Sequence, residues 1–482
     1  MSKTLLSLSI LILPLLFQST TTSVALAQQC ESIPNIIIFI TDDQRYDDFT
    51  PTLMPELHRR MSRGTIFSRA YVTTPACCPS RASIFTGQYT SQHGVRENDY
   101  VLQKPTMFER LRETGIFYTG LIGKYLNTWN GRPRPEFDFW VSFPGGSTRY
   151  YKPFLNVNGR WKLERGYVTY RFRDYALQFI SAAVAQPRPF LLVMPLSAPH
   201  YPFSPAKEDR RLYEDIPVPR LPSFDELDRS DKPIWLRRLK RRPASRLAAY
   251  AGARKKQWRA LRSVDRALES IIADLEQRGI LDNTAIFFLS DNGLLSGEHG
   301  IGSKDVVYEE AIHVPFALRY PRCLSPGARE DLVANIDIAP TVFDLANLPI
   351  PADMAGTSLM QLDKKDVSWR KELLIEGFRG RVVRSPFAAV HTGRYVYVRN
   401  QAGSRGPAAD FIELYDLETD PYQLENLVGS AQHIGKLKEL DGALTSMLMR
   451  YRGANSFSRP RGKRGRTHFP PLKALEREKL RK

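Results

Sequence analysis

Ile36-Ile37-Ile38-Phe39-Ile40-Thr41-Asp42-Asp43 opens as an unbroken β-branched and aromatic run and ends in two acids. A strand with one wet face alternates apolar and polar residues, so an unbroken run predicts a strand buried on both faces, as in a parallel sheet. Runs at 190–194 and 285–289 have the same texture, and 314–318 is a further candidate. Between them lie helical patterns over 55–63, 107–113, 170–185 and 247–277, and 82–86 opens another helix. Strands alternating with helices predict an α/β fold, a large and mostly parallel central sheet flanked by helices. Side chains that do chemistry then belong at the carboxyl ends of the strands.

From about residue 370 the texture changes. Short alternating runs at 373–376, 387–391, 395–399 and 411–415, with a turn signal at Thr392-Gly393, predict a smaller antiparallel sheet covered by a helix over 434–451. The expected division is a signal peptide at 1–27, a catalytic domain at 28–370, a C-terminal α+β subdomain at 371–455 and a basic tail at 456–482. With 482 residues and 42% apolar content the chain can bury a large core. Lys3, the apolar run over 5–17 and Val24-Ala25-Leu26-Ala27 have the order of a secretory signal cut near Ala27. That run is well short of the roughly 18 residues of a spanning helix, and no later segment is longer, so no membrane span is expected in the mature chain. The chain has no Asn-x-Ser/Thr sequon, which favours a bacterial exported protein, periplasmic or secreted.

The net charge of +18 is uneven. Residues 459–482 hold ten Lys or Arg against two Glu, and Arg237-Arg238-Leu239-Lys240-Arg241-Arg242 crosses an acid-free stretch over 232–253. Such surfaces either attract polyanions or simply stay solvated, and the sequence leaves both open; nucleic acid is not an expected partner. Asp42-Asp43 at a strand end repel each other unless a cation joins them, although a solvated turn would also explain them. Ser290-Asp291-Asn292-Gly293 ends another apolar run, where Asn-Gly is equally a hairpin signal. Taken together, Asp42, Asp43, Asp291 and Asn292 offer only oxygen ligands, the preference of Ca2+ or Mg2+. Cys77-Cys78-Pro79-Ser80-Arg81 solves no ordinary packing problem. As a plain thiol Cys77 is a modest nucleophile that needs a lowered pKa, which Arg81 could supply; the alternative is a buried thiol pair.

The run Cys77-x-Pro79-Ser80-Arg81, with Gly87 six residues later, resembles the signature of the type I sulfatases, members of the alkaline-phosphatase-like superfamily. The resemblance implies that a formylglycine-generating enzyme oxidises Cys77 to formylglycine (3-oxoalanine) before or during export, giving an aldehyde whose hydrate attacks sulfate esters. It implies one Ca2+ held by Asp42, Asp43, Asp291, Asn292 and the modified Cys77. Lys124 and Lys304 would stabilise charge on the sulfate, Arg81 would hold the hydrate, and His200 would protonate the leaving alcohol. His93 and His299 receive no catalytic step. At most one disulfide then remains, and Cys30 with Cys323 is the conceivable pair. Gly123-Lys124-Tyr125-Leu126-Asn127, the Cys-Cys variant and Ala198-Pro199-His200 are similar to the subgroup of N-acetylglucosamine-6-sulfatase and the heparan endosulfatases, although Leu126 stands where many sulfatases have histidine. Residues 413–421 and 425–427 resemble the segment that closes the C-terminal sheet. The implied substrate is a sulfated carbohydrate of the 6-O-sulfated glucosamine type. The rivals are a phosphodiesterase or phosphonate monoester hydrolase of the same superfamily, and a catalytically silent polyanion-binding protein.

Overall fold

A computed structural model describes residues 32–364, 366–378, 386–401 and 411–452. The expected signal peptide, Cys30 and the basic tail lie outside them. In chain order come β1 (Asn35–Thr41), α1 (Pro55–Met61), β2 (Thr65–Phe67), β3 (Ala70–Tyr71), α2 (Cys77–Thr86), α3 (Thr90–His93), α4 (Met107–Thr114), β4 (Tyr118–Gly123), β5 (Phe139–Ser142), β6 (Phe154–Val157) and β7 (Arg160–Leu163). Then follow α5 (Val168–Ala183), β8 (Phe190–Pro195), α6 (Ile234–Arg237), α7 (Ala244–Gln277), β9 (Thr284–Ser290), α8 (Glu309–Ile312), β10 (Phe316–Arg319), β11 (Gly327–Arg329), β12 (Val333–Ala334) and α9 (Ile338–Leu345). The C-terminal part holds β13 (Leu373–Gly377), β14 (Phe387–His391), β15 (Tyr395–Asn400), β16 (Phe411–Asp416) and α10 (Ile434–Arg452).

The large sheet runs β11-β2-β10-β9-β1-β8-β4-β5-β6-β7. Its centre, from β9 through β1, β8 and β4 to β5, is parallel. Strand alternation explains the unbroken run of β1: Ile37 and Phe39 enter one core with α5 and α7, while Ile36, Ile38 and Ile40 enter another with α2, α4 and α9. Burying about five such side chains at 1.5–3 kcal/mol each fixes β1 as the central strand. The strand expected over 314–318 is β10, and it runs antiparallel to β9 and β2, because an apolar run carries no information about direction.

The expected antiparallel sheet is present in the order β13-β14-β15-β16, and α10 covers it with Leu440, Leu444 and Leu448. These residues share one apolar cluster with Val72, Leu295 and Val306, so this sheet packs against the loops that follow β3 and β9. Cys77 and Cys78 carry free thiols and Cys323 is disulfide-bonded. No helix of the described residues is long and apolar enough to cross a membrane. The basic cluster before α7 is partly engaged within the protein: Arg237 lies over the Phe411 ring, Arg241 pairs with Asp225 at 3.2 Å, and Arg242 donates to the Gly300 carbonyl at 3.1 Å.

Two of the elements that differ from expectation bear on the site. Helix α2 starts at Cys77, five residues before the expected opening at Ala82. Pro79 is tolerated there because the first-turn N–H groups have no helical partner to lose. Strand β4 has no counterpart in the sequence reading, since glycines at 120 and 123 weaken its strand pattern. Close approach requires them: a Cβ on Gly120 would meet the Phe179 ring at 2.5 Å, and one on Gly123, at φ +133, would meet the Pro195 carbonyl oxygen at 1.9 Å. Gly123→Ala should therefore lower stability by about 2–4 kcal/mol and push Lys124 out of place. Denaturant midpoints and turnover measure both effects, and an unchanged midpoint would show that β4 and β8 can separate freely.

Candidate active site

Strands β1, β8, β4 and β9 all end on the same edge of the sheet, and the loops that leave them carry Asp42, Asp43, His200, Lys124, Asp291 and Asn292. Residues of an extended strand point alternately up and down, which would separate Asp42 from Asp43. Asp43 avoids this by adopting φ +69, a left-handed conformation unusual for a residue other than glycine. Single carboxylate oxygens of Asp42, Asp43 and Asp291 consequently lie within 4.8 Å of one another. The turn is held by the Asp43 N–H on Asp291 Oδ1 at 3.4 Å and by Asn292 Nδ2 donating to Asp43 Oδ1 at 2.7 Å.

Cys77 is the first residue of α2, whose ten residues are all buried. Its thiol therefore sits at the positive end of the helix dipole, although Pro79 has no N–H and the Cys78 N–H already donates to Asn98 Oδ1 at 3.0 Å. Lys304 reaches Cys77 Sγ and Asp43 Oδ1, and contacts Asn292 Oδ1 at 3.3 Å. Lys124 pairs with Asp42 Oδ2. His200 places Nε2 3.9 Å from Asp43 Oδ2, and its Nδ1 is 2.9 Å from the Tyr201 carbonyl. All nine sequence-predicted site residues thus gather in one place, and Asp42, Cys77 and His200 also offer mutually close ligand atoms.

Arg81 has three partners within the protein. It pairs with Asp291, donates through Nη2 to Asn127 Oδ1 at 2.6 Å and through Nε to the Tyr125 carbonyl at 3.0 Å. Its charge lies close enough to act on the thiol but does not outweigh burial. Burial pushes Cys77 up to about 12, with Asp42 and Asp291 adding to the rise and Lys124 and Lys304 only partly opposing it. As a plain thiol, Cys77 is therefore held in its protonated form, and Arg81 alone does not activate it.

The carboxylates divide into two states. Burial raises Asp42, but Lys124, His200, Lys304 and Arg81 together outweigh it and hold that carboxyl well below the usual range. Burial and the Asp42 charge raise Asp291 to about 7. Burial would lower Lys304, yet Asp43, Cys77, Asp42 and Asp291 keep it firmly protonated. Asp42 Oδ1 is buried with no hydrogen-bond partner, an arrangement that costs about 1–3 kcal/mol unless something else binds it. An unpartnered oxygen, three converging carboxylates and the Asn292 amide oxygen fit a hard divalent cation.

His93 and His299 have structural partners, Ser83 Oγ at 3.0 Å and Glu226 at 2.7 Å respectively. The sequence reading missed Asn127, which anchors Arg81, and Tyr150, whose hydroxyl donates to the His200 carbonyl at 2.7 Å. Asn127 closes the run Gly123-Lys124-Tyr125-Leu126-Asn127 but received no role of its own, and Tyr150 stands in no recognisable motif.

The family model for Sulfatase matches residues 34–348. The chain belongs to the sulfatase family. A model described as N-sulphoglucosamine sulphohydrolase, C-terminal, matches residues 297–450 of this sulfatase-family chain. The putative extracellular sulfatase Sulf-1 homolog of Caenorhabditis elegans is 32% identical over 73% of the chain, and the chain spans about half of that protein, 53%. Human N-acetylglucosamine-6-sulfatase is 29% identical, over 82% of this chain and 81% of its own. A solved structure described as a complex with its substrate D-glucosamine-2-N,6-O-disulfate shares the fold at a TM-score of 0.78 and 23% identity, covering 89% of this chain and 100% of that one.

The raised carboxyl of Asp291 sets a pH dependence. The folded state holds this proton better than the unfolded state, so the resulting stability is complete below the ordinary carboxylate pKa of 3.8 and is lost as pH rises through about 7. A cation competes with the same proton. Adding Ca2+ to metal-free protein should raise Tm clearly more at about pH 8 than at about pH 5.5. Equal shifts at the two pH values would exclude Asp291 from the cation site.

Proposed function

We propose that this sulfatase-family protein hydrolyses sulfate esters of a carbohydrate, with a 6-O-sulfated glucosamine unit as the substrate. The observation that carries the reading is the convergence of Asp42, Asp43, Asp291, Asn292, Lys124 and Lys304 on an inert, buried thiol at a helix N-terminus. A protonated thiol has no use for two lysines and a carboxylate cluster, whereas a residue waiting to be modified does. Formylglycine made from Cys77 would supply a hydrated aldehyde oxygen as nucleophile, and a Ca2+ ion on Asp42, Asp43, Asp291 and Asn292 would supply positive charge for the sulfate oxygens.

The chain's own groups do the rest. The N-terminus of α2 and the ammonium groups of Lys124 and Lys304 offer charge to the non-bridging sulfate oxygens, inside a site too buried for water to screen them. Arg81 acts at one remove: its three bonds to Asp291, Asn127 and the Tyr125 carbonyl fix the acidic cluster against α2. His200 is partly exposed at the cleft, where its Nε2 can hand a proton to the departing alcohol oxygen. Its backbone is pinned by Tyr150. Support for glucosamine 6-sulfate comes from the relatives named for that bond. Export by residues 1–27 to a bacterial periplasm or medium, and maturation by a formylglycine-generating enzyme, belong to the same proposal.

Mass spectrometry of the peptide containing Cys77, from natively expressed protein, should find it lighter by the difference between a thiol and an aldehyde side chain, and Cys77→Ala should abolish sulfate release. An unmodified cysteine in active protein would sink the reading. His200→Ala should lower kcat by about 10²–10⁴-fold on a sugar sulfate, whose alcohol needs a proton, and far less on 4-nitrophenyl sulfate, whose phenolate does not. Equal losses on the two substrates would remove His200 from the acid step.

A further inference from the structure

The cleft above Cys77 encloses about 1480 Å3. That exceeds the roughly 300–1,000 Å3 usual for a small-molecule site and leaves most of the space beyond one sugar ring. Part of its lining is a single face of α7, where Arg246, Ala249, Tyr250, Ala253 and Lys256 recur at steps of three and four residues. The stripe rises about 15 Å along the helix, with a cation at each end and small residues or one aromatic ring between.

The two cations differ from the other basic residues of the helix. Arg254 pairs with Asp48 at 2.7 Å, Lys255 donates to the Glu214 carbonyl at 2.5 Å, Arg259 to the Leu212 carbonyl at 2.7 Å, and Arg266 to Asp209 at 2.5 Å. Arg246 and Lys256 are exposed, and among the described residues neither side chain has an ion pair or hydrogen bond. The acids that also line the cleft, Asp43, Glu97, Asp99 and Asp305, are engaged within the protein. The stripe is fixed relative to the chemistry because the Tyr250 ring packs on Gly302, where a Cβ would come within 2.1 Å of Cε1, and Gly302 is two residues from Lys304.

We propose that the cleft takes an oligosaccharide carrying at least two anionic groups, the reacting sulfate at Cys77 and a second sulfate or carboxylate, on a neighbouring sugar, met by Arg246 or Lys256. This rests on the proposed function and extends it: the substrate is a multiply charged glycan chain, read over more than one unit. Two unpaired cations on a rigid helix face give a second anion charge-assisted hydrogen bonds without a folding cost at binding.

The test is calorimetric binding to the full chain, with Cys77→Ala in every arm so that no ligand is consumed. The ligands are N-acetylglucosamine 6-sulfate, a trisaccharide bearing only that sulfate, and the same trisaccharide with a further sulfate on the adjacent sugar. Without changes on α7, the third ligand should bind most tightly and with the steepest salt dependence. Arg246→Gln with Lys256→Gln should weaken the third ligand by about tenfold or more and the other two by less than about twofold. Equal weakening of all three, or no preference for the third before substitution, overturns the proposal. Failure of the proposed function reads separately, as no sulfate released from any of the three by the natural chain, while the binding contrast is still measured.

Discussion

Three carboxylates brought together in the dry edge of a sheet would drive the structure apart if nothing answered their charge. Taking even one ion out of water costs several kcal/mol, and like charges a few ångströms apart add to that. The chain responds with Lys124, Lys304 and Arg81, each arriving from a different element, and with the proton that Asp291 retains. The surrounding fold can be read as the means of delivering those cations. Strand β4 presses against β8 through Gly123 so that Lys124 reaches Asp42, and α2 carries Arg81 one turn below Cys77. The compensation is incomplete at Asp42 Oδ1, and a cation fits there.

The same balance explains why the site is assembled from distant parts of the sequence. Arg81 and Asp291 are 210 residues apart, and Lys304 and Cys77 are 227 apart. Such contacts need the parallel centre of the sheet in register, because β1 lies between β8 and β9 and the loops that leave all three meet at one edge. The C-terminal sheet contributes by packing its core against the loops after β3 and β9, which are those that lead to Cys77 and carry Lys304.

Much of this was legible in the sequence where a residue pattern had one physical meaning. Unbroken apolar runs gave β1, β8 and β9, and short alternating runs gave the C-terminal sheet. What stayed hidden was of another kind. Glycines that permit close approach look like strand breakers, so β4 disappeared; Pro79 looks like a helix breaker, so α2 was begun too late. Strand direction at β10 is a property of the partner strand. For the site, the residue types and their strand-end positions pointed to one acidic cluster. The partner of Arg81 could not be read, because three acceptors compete for a guanidinium and only the packed chain decides among them. Asn127 and Tyr150 act on other site residues, Arg81 and the His200 backbone, and such indirect roles follow from packing rather than from residue type.

The complete burial of α2 has a consequence in time. Cys77 is 2% exposed, its helix has no wet face, and Cys78, Ala82, Ile84 and Phe85 of that helix belong to the core on one side of the sheet. A small reagent could still enter from the cleft, but another protein could not grip the Cys77–Arg81 segment in an extended form without first unpacking the sheet's main helical layer. Chemistry that an enzyme performs on this cysteine must therefore precede the docking of α2. A chain in which α2 docks with its thiol unaltered would keep Cys77 out of reach of any enzyme that must hold this segment extended.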